Sequence, residues 1–136
     1  MVHICNLMIG DWVKTNPSCG KLSCGIKSNI AMISEIGFSN SDGMYVTFTG
    51  TKGRYYDDEL EPIQLTEEIL EKNGFEKNQD YGYYIGQSNS GYYVYFDNNH
   101  LSIQAGNDII EFVWCEYVHE LQHALKICGI EKTIKL

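Results

Sequence analysis

The sequence predicts an α+β fold: an SH3-like small β-barrel or bent sheet, a short helix, antiparallel tyrosine-rich strands, a C-terminal helix and a last strand. Three observations predict it. Residues 1–60 and 81–105 are short runs of β-branched, aromatic and aliphatic residues punctuated by Gly, Asn, Asp and Ser. "LTEEILEKNGF" at 65–75 carries start and stop signals of a helix. The segment before Gly129 repeats its apolar residues with a helical period. A length of 136 residues suits one domain. Within it we expect a β-barrel-like part over 1–63 and a part holding helix, antiparallel sheet and packing helix over 64–136.

"LMIGDWVKT" reads as the first strand, ending near Asn16-Pro17. "NIAMISEIGF" alternates Ile30, Met32 and Ser34 against Ala31, Ile33 and Glu35, and "SNSDG" at 39–43 is dense turn chemistry before the strand "MYVTFTG". "RYYDDELEPIQL" reads as a closing strand with Pro62 at its edge, where a missing N–H costs least. In the following helix Thr66 is the N-cap, Glu67 and Glu68 face the positive helix start, and Asn73-Gly74 supplies the left-handed stop. "YGYYIG" and "GYYVYFD" flank Gln87-Ser88-Asn89-Ser90 as a hairpin, and "HLSIQA" adds a strand before the turn Gly106-Asn107-Asp108. "IIEFVW" leads into a helix predicted from about Phe112 to Ile127, and the alternating "IEKTIKL" reads as a terminal strand.

Composition bounds the function. With 43% hydrophobic and 21% charged residues the chain has ordinary globular make-up. A formal net charge of −8 disfavours duplex nucleic acid as partner, because Lys and Arg on phosphates supply most of that affinity. The charge is uneven: Lys14 to Arg54 holds five basic residues against two acidic, and Asp57 to Asp80 holds nine acidic against two basic. Five cysteines without a CxxC pair argue against a disulfide framework, and Cys19-x4-Cys24 has poor spacing for structural zinc. The N-terminal stretch lacks a basic region and a long apolar core, and no window reaches the length of a membrane span. The expectation is a cytoplasmic protein with no membrane partner.

Two features carry chemistry. "YVHELQHAL" contains His-Glu-x-x-His, in which His119 and His123 one turn apart would ligate zinc and Glu120 would activate its water. Helix phase argues against it. Trp114, Val118, Leu121, Leu125 and Cys128 fall in one stripe, His123 lies opposite it and His119 about 40° from His123, so both imidazoles are expected to face outward. After His123 the one plausible third ligand is Glu131, on the expected last strand, and nothing in the context of His3 or His100 recommends them instead. A zinc-dependent hydrolase is therefore the alternative, and we expect no catalytic residue, metal or cofactor.

The other feature is tyrosine density. Alternation places Tyr92, Val94 and Phe96 on one face of their strand, the better core candidate, and Tyr93 and Tyr95 on the other, beside Tyr83 or Tyr84 according to register. Such rings suit a half-exposed sheet, the simpler reading, and they can also form a platform for a base, a sugar or a partner's side chain. With Lys52, Arg54 and Tyr56 they make Tyr84, Tyr93 and Tyr95 candidate contacts for a small nucleotide-like ligand. "TGTKGRYY" has neither phosphate-loop pattern, and Cys115 lacks a convincing base.

"PIQLTEEILEKNGF" and "YVHELQHALKICGI" resemble a set of small uncharacterised proteins of gut bacteria and their phages, with an N-terminal small β-barrel, an "LTxEILEKNGF" helix and a "YVHxLQ" C-terminal helix. The likeness covers the middle and end of the chain, and the first sixty residues only in general pattern. It implies that Tyr117, Val118, Leu121 and Gln122 are the shared structural part, and that Glu120 and His123 are not catalytic essentials. It implies no enzymatic activity. The expected function is non-catalytic binding of a small ligand or of a host protein by a phage or mobile-element accessory protein of counter-defence type. A structural subunit of a homo-oligomer is a further alternative.

Overall fold

The computed structural model describes residues 1–15, 30–80, 82–87 and 91–136. Two compact units divide the chain, Met1–Ile63 and Gln64–Leu136. Antiparallel sheets with two α-helices make it an α+β protein.

In the first unit β1 (Trp12–Thr15), β2 (Ile30–Ser39), β3 (Gly43–Phe48) and β4 (Leu60–Pro62) form an antiparallel sheet of order β3-β2-β1-β4. Among the described residues this sheet is open and does not close into a barrel. Among the described residues β3 and β4 are its two edges, and beyond β2 the strand β3 meets a bridge from Val46 to Tyr55, with 2.9 Å hydrogen bonds in both directions. The bend is local. The register of β2 on β3 shifts between Ile33 and Glu35, and the residue left over, Ser34, turns its hydroxyl to Thr47. Pro62 does sit on the edge strand. The core gathers Val2, Ile4, Leu7, Val13, Ile33, Val46, Phe48, Tyr55 and Leu60. The expected turns and cysteines at 16–25 lie outside the described residues.

The second unit opens with α1 (Glu67–Lys72), capped as its sequence predicts: Ile69 N donates to Thr66 Oγ1 at 3.3 Å, and Gly74 takes a positive φ of 81°. A five-stranded meander follows: β5 (Glu76–Asn78), β6 (Gly82–Gln87), β7 (Tyr92–Asp97), β8 (His100–Ala105) and β9 (Asp108–Trp114). The β7–β8 turn is Asn98-Asn99 with φ of 47° and 63°, the left-handed pair a two-residue hairpin requires and asparagine tolerates. The tip of the β6–β7 hairpin, 88–90, lies outside the described residues, as does Tyr81.

Two expectations need correction here. The helix predicted from Phe112 is the strand β9 as far as Trp114, and α2 begins only at Val118. Trp114, assigned to the buried stripe, is 51% exposed, whereas Val118, Leu121, Leu125 and Cys128 are buried as expected. The tail Ile130–Leu136 forms no strand. Ile130 and Ile134 are buried, but the backbone of Lys135 bonds to the side chain of Asn73 rather than to a neighbouring strand. Among the described residues no helix is long and apolar enough to cross a membrane.

Candidate ligand-binding site

Register decides which tyrosines meet. β6 pairs with β7 so that Tyr83 opposes Phe96, Tyr84 opposes Tyr95, and Gly86 opposes Tyr93. Because side chains alternate, Tyr83, Val94 and Phe96 share the inner face with Leu101 and Ile103, all five buried. Tyr92 lies on that face by alternation, yet it opens its strand and is 40% exposed, so the core role expected for it passes to Val94 and Phe96. Tyr83 seals its hydroxyl against α1, within 3.0 Å of both Glu67 Oε2 and Glu71 Oε1. Burial first, then these two acceptors, push its pKa well above the ordinary tyrosine value.

The outer face collects Tyr84, Tyr93 and Tyr95. The Tyr84 and Tyr95 ring centroids are 6.0 Å apart and those of Tyr93 and Tyr95 6.4 Å, a tilted row across two strands. Tyr84 is pinned at its far end, donating from its hydroxyl to Glu76 Oε2 at 2.8 Å, a bond that raises its pKa. Tyr93 is held by what is missing opposite it: a Cβ on Gly86 would come within 2.7 Å of Tyr93 Cε1, so the ring lies over the glycine.

Pairing of β7 with β8 extends these rows. Tyr95 stands opposite Ser102, Tyr93 opposite Gln104, and Asp97 opposite His100. β9 then places Ile109 beside Gln104 and Trp114 beside His100, whose rings meet edge-on at 5.0 Å. A concavity of about 570 Å³ opens on this face, lined by Tyr95, Asp97, His100, Ser102, Gln104 and Ile109, with Asp80 and Asn98 from the adjoining turns. That volume is within the range of small-molecule sites. Its described lining holds two carboxylates and no lysine or arginine.

Of the residues expected to bind a ligand, the structure brings Tyr84, Tyr93 and Tyr95 together. Lys52, Arg54 and Tyr56 belong to the first unit. There the Arg54 guanidinium rests 4.3 Å above the ring of Tyr45, and that ring covers Gly37 much as Tyr93 covers Gly86. Lys52 is exposed, and Tyr56 is half-buried with its N–H donating to Glu59 Oε2 at 3.0 Å. The residues unanticipated as a site are Asp97, His100, Ser102, Gln104 and Ile109. The polar positions 100, 102 and 104 alternating with Leu101 and Ile103 were the available signal.

The His-Glu-x-x-His segment has a different geometry from the one helix phase suggests. His119 is 4% exposed, which corrects the outward placement of both rings; His123 is half-buried. The His119 ring stacks on Tyr117 at 5.9 Å and meets His123 edge-on at 5.8 Å. Glu120 turns back along the helix start: its Oε2 accepts from Glu116 N at 2.8 Å and from Tyr117 N at 3.0 Å. Such N3 glutamates satisfy backbone donors that a helix cannot. Among the described residues no three His, Cys, Asp or Glu side chains converge as a metal site.

No protein-family model, no curated protein and no solved structure matches the chain.

Proposed function

We propose that the chain is a non-catalytic binding protein that captures a small ligand on the outer face of its five-stranded sheet. The observation that carries this reading is the juxtaposition of the Tyr84–Tyr95–Tyr93 row with the concavity beside Tyr95. A planar or ring-shaped ligand stacked on one of these tyrosines gains roughly 1–3 kcal/mol, and the polar lining orients it. The base of a nucleotide-like ligand would stack here, while Lys52 and Arg54, the cations expected for its phosphate, are part of the other unit, which we take as a bent sheet of SH3-like type. The likeness to small phage proteins supports an accessory role of this kind in a host cytoplasm, by capture of a ligand or by blocking a host protein.

Against the hydrolase alternative stands Glu120. Its Oε2 already serves two backbone donors, which is the work of a helix-start cap. For an oligomeric subunit the supporting observation is β9, an edge strand carrying exposed Ile109 and Trp114.

Thermal denaturation in the presence of fractionated cell metabolites tests the proposal. A ligand at 100 times its dissociation constant adds about 2.7 kcal/mol to stability, and Tyr95→Ala should remove the shift. If no fraction stabilises the chain, the reading fails.

A further inference from the structure

We propose that the concavity beside Tyr95 is a saccharide subsite, taking a neutral sugar ring against the tyrosine. This inference rests on the binding reading above and names the ligand class. An uncharged polyol has one apolar ring face and a rim of hydroxyls, each both donor and acceptor. The lining answers both parts. Tyr95 offers a half-exposed ring held in place by Tyr84 and Tyr93 on either side. Around it stand planar or short polar groups: Asp80 and Asp97 accept only, Ser102 donates and accepts, Gln104 donates from Nε2 to Gly106 O at 3.0 Å and has Oε1 as acceptor and a second amide hydrogen, and His100 has its Nδ1 3.1 Å from Asn98 O, leaving Nε2 as the other ring nitrogen.

The competing ligand classes fit less of this lining. A phosphate or carboxylate would meet Asp80 and Asp97 with no described lysine or arginine to offset them. An organic cation would use those two carboxylates and the ring face but leave Ser102 and Gln104 without a role. A sugar uses all of them. The concavity also exceeds what one ring fills, and a short oligosaccharide could extend along the tyrosine row.

The test is a glycan array of neutral oligosaccharides of glucose, galactose, mannose and N-acetylglucosamine, probed with the full chain. Calorimetric titration of the strongest hit follows, beside AMP and spermidine as anionic and cationic probes. The expected result is saturable binding of a neutral sugar, at least about tenfold weaker binding of AMP and spermidine, and about tenfold weakening in both Tyr95→Ala and Gln104→Leu. Circular dichroism checks each variant, and Gln104→Leu decides if Tyr95→Ala fails to fold. Sugar binding unchanged in both weakened variants overturns the subsite. Binding of AMP or spermidine alone, lost in Tyr95→Ala, overturns the sugar and leaves the binding site standing. Silence toward all three classes overturns both.

Discussion

Asn73 and Lys135 exchange two hydrogen bonds across 62 residues of sequence: Asn73 Nδ2 donates to Lys135 O at 2.7 Å, and Lys135 N donates to Asn73 Oδ1 at 2.7 Å. A side-chain amide here does what a neighbouring strand would do. The same Nδ2 donates to Ile69 O at 2.7 Å, so one buried residue closes the end of α1 and holds the C-terminal tail.

Asn73→Ala should therefore destabilise the second unit by about 2–4 kcal/mol, since it strands the N–H and the carbonyl of Lys135, takes one of two donors from Ile69 O and loosens the tail carrying Ile134. Asn73→Asp should be nearly as harmful, because it aims a carboxylate at two carbonyl oxygens. Urea denaturation gives the energies, and amide exchange at Lys135 locates the effect. A protected Lys135 amide in Asn73→Ala would refute the assignment.

Gly86 separates binding from folding. An alanine there places a Cβ 2.7 Å from Tyr93 Cε1, but Tyr93 is 45% exposed and its ring can swing away. Gly86→Ala should cost stability by no more than about 1 kcal/mol, because the strain relaxes into solvent and alanine tolerates a strand better than glycine. The ring's departure should weaken the tyrosine row and lower ligand affinity several-fold. Calorimetry with the ligand and thermal denaturation without it read the two effects separately; affinity equal to that of the parent would show that Tyr93 does not position Tyr95.

What the sequence disclosed was what neighbouring residues decide. The Thr66 cap, the Gly74 stop and Pro62 on an edge are local matters, and they stand where the sequence places them. Residues 112–114 end β9 instead of opening a helix because a short apolar run such as "IIEFVW" has no period to separate strand from helix, and the partner strand β8 decides. The tail alternates like a strand, but its hydrogen-bonding partner is a side chain, which no pattern announces. His119 lies off the buried stripe of α2 and is buried all the same, because it sits in the first turn, where Tyr117 from the incoming chain covers it. The site was half legible: alternation separates Tyr93 and Tyr95 from Val94 and Phe96, but only register joins Tyr84 to Tyr95 and brings Gln104 and His100 beside them.

Glu120 offers a direct contrast between cap and catalyst. If it serves the start of α2, Glu120→Gln should keep most of the stability, since an amide oxygen also accepts from Glu116 N and Tyr117 N, while Glu120→Ala should lose about 1–2 kcal/mol. A catalytic base would show the opposite pattern, with both variants inactive and stability unmoved. Zinc analysis of untagged protein accompanies the measurement: stoichiometric metal lost in His119→Ala would reinstate the hydrolase.

Cys115 makes stability depend on alkaline pH. The thiol is 3% exposed, and burial, with Glu120 nearby adding a smaller repulsion, pushes its pKa from 9.0 up to about 12. The folded state thus holds the thiol proton more tightly than the unfolded chain. The sign follows from linkage: this contribution is fully present below pH 9, and it is lost as pH rises from there toward the folded value, because only the unfolded state gains by ionising. Each pH unit in that window removes at most about 1.4 kcal/mol through this group. Burial of Tyr83 acts in the same direction above pH 10. Urea denaturation between pH 7.5 and 10 should therefore show stability falling past pH 9, and Cys115→Ala should make the part below pH 10 shallower, leaving the share of Cys128, whose pKa burial also raises, whatever its cost at neutral pH. In the native parent protein Cys115 should also resist alkylation under conditions that label the exposed Cys5. Parallel pH profiles for parent and Cys115→Ala would show that the thiol is not what the alkaline limb reports.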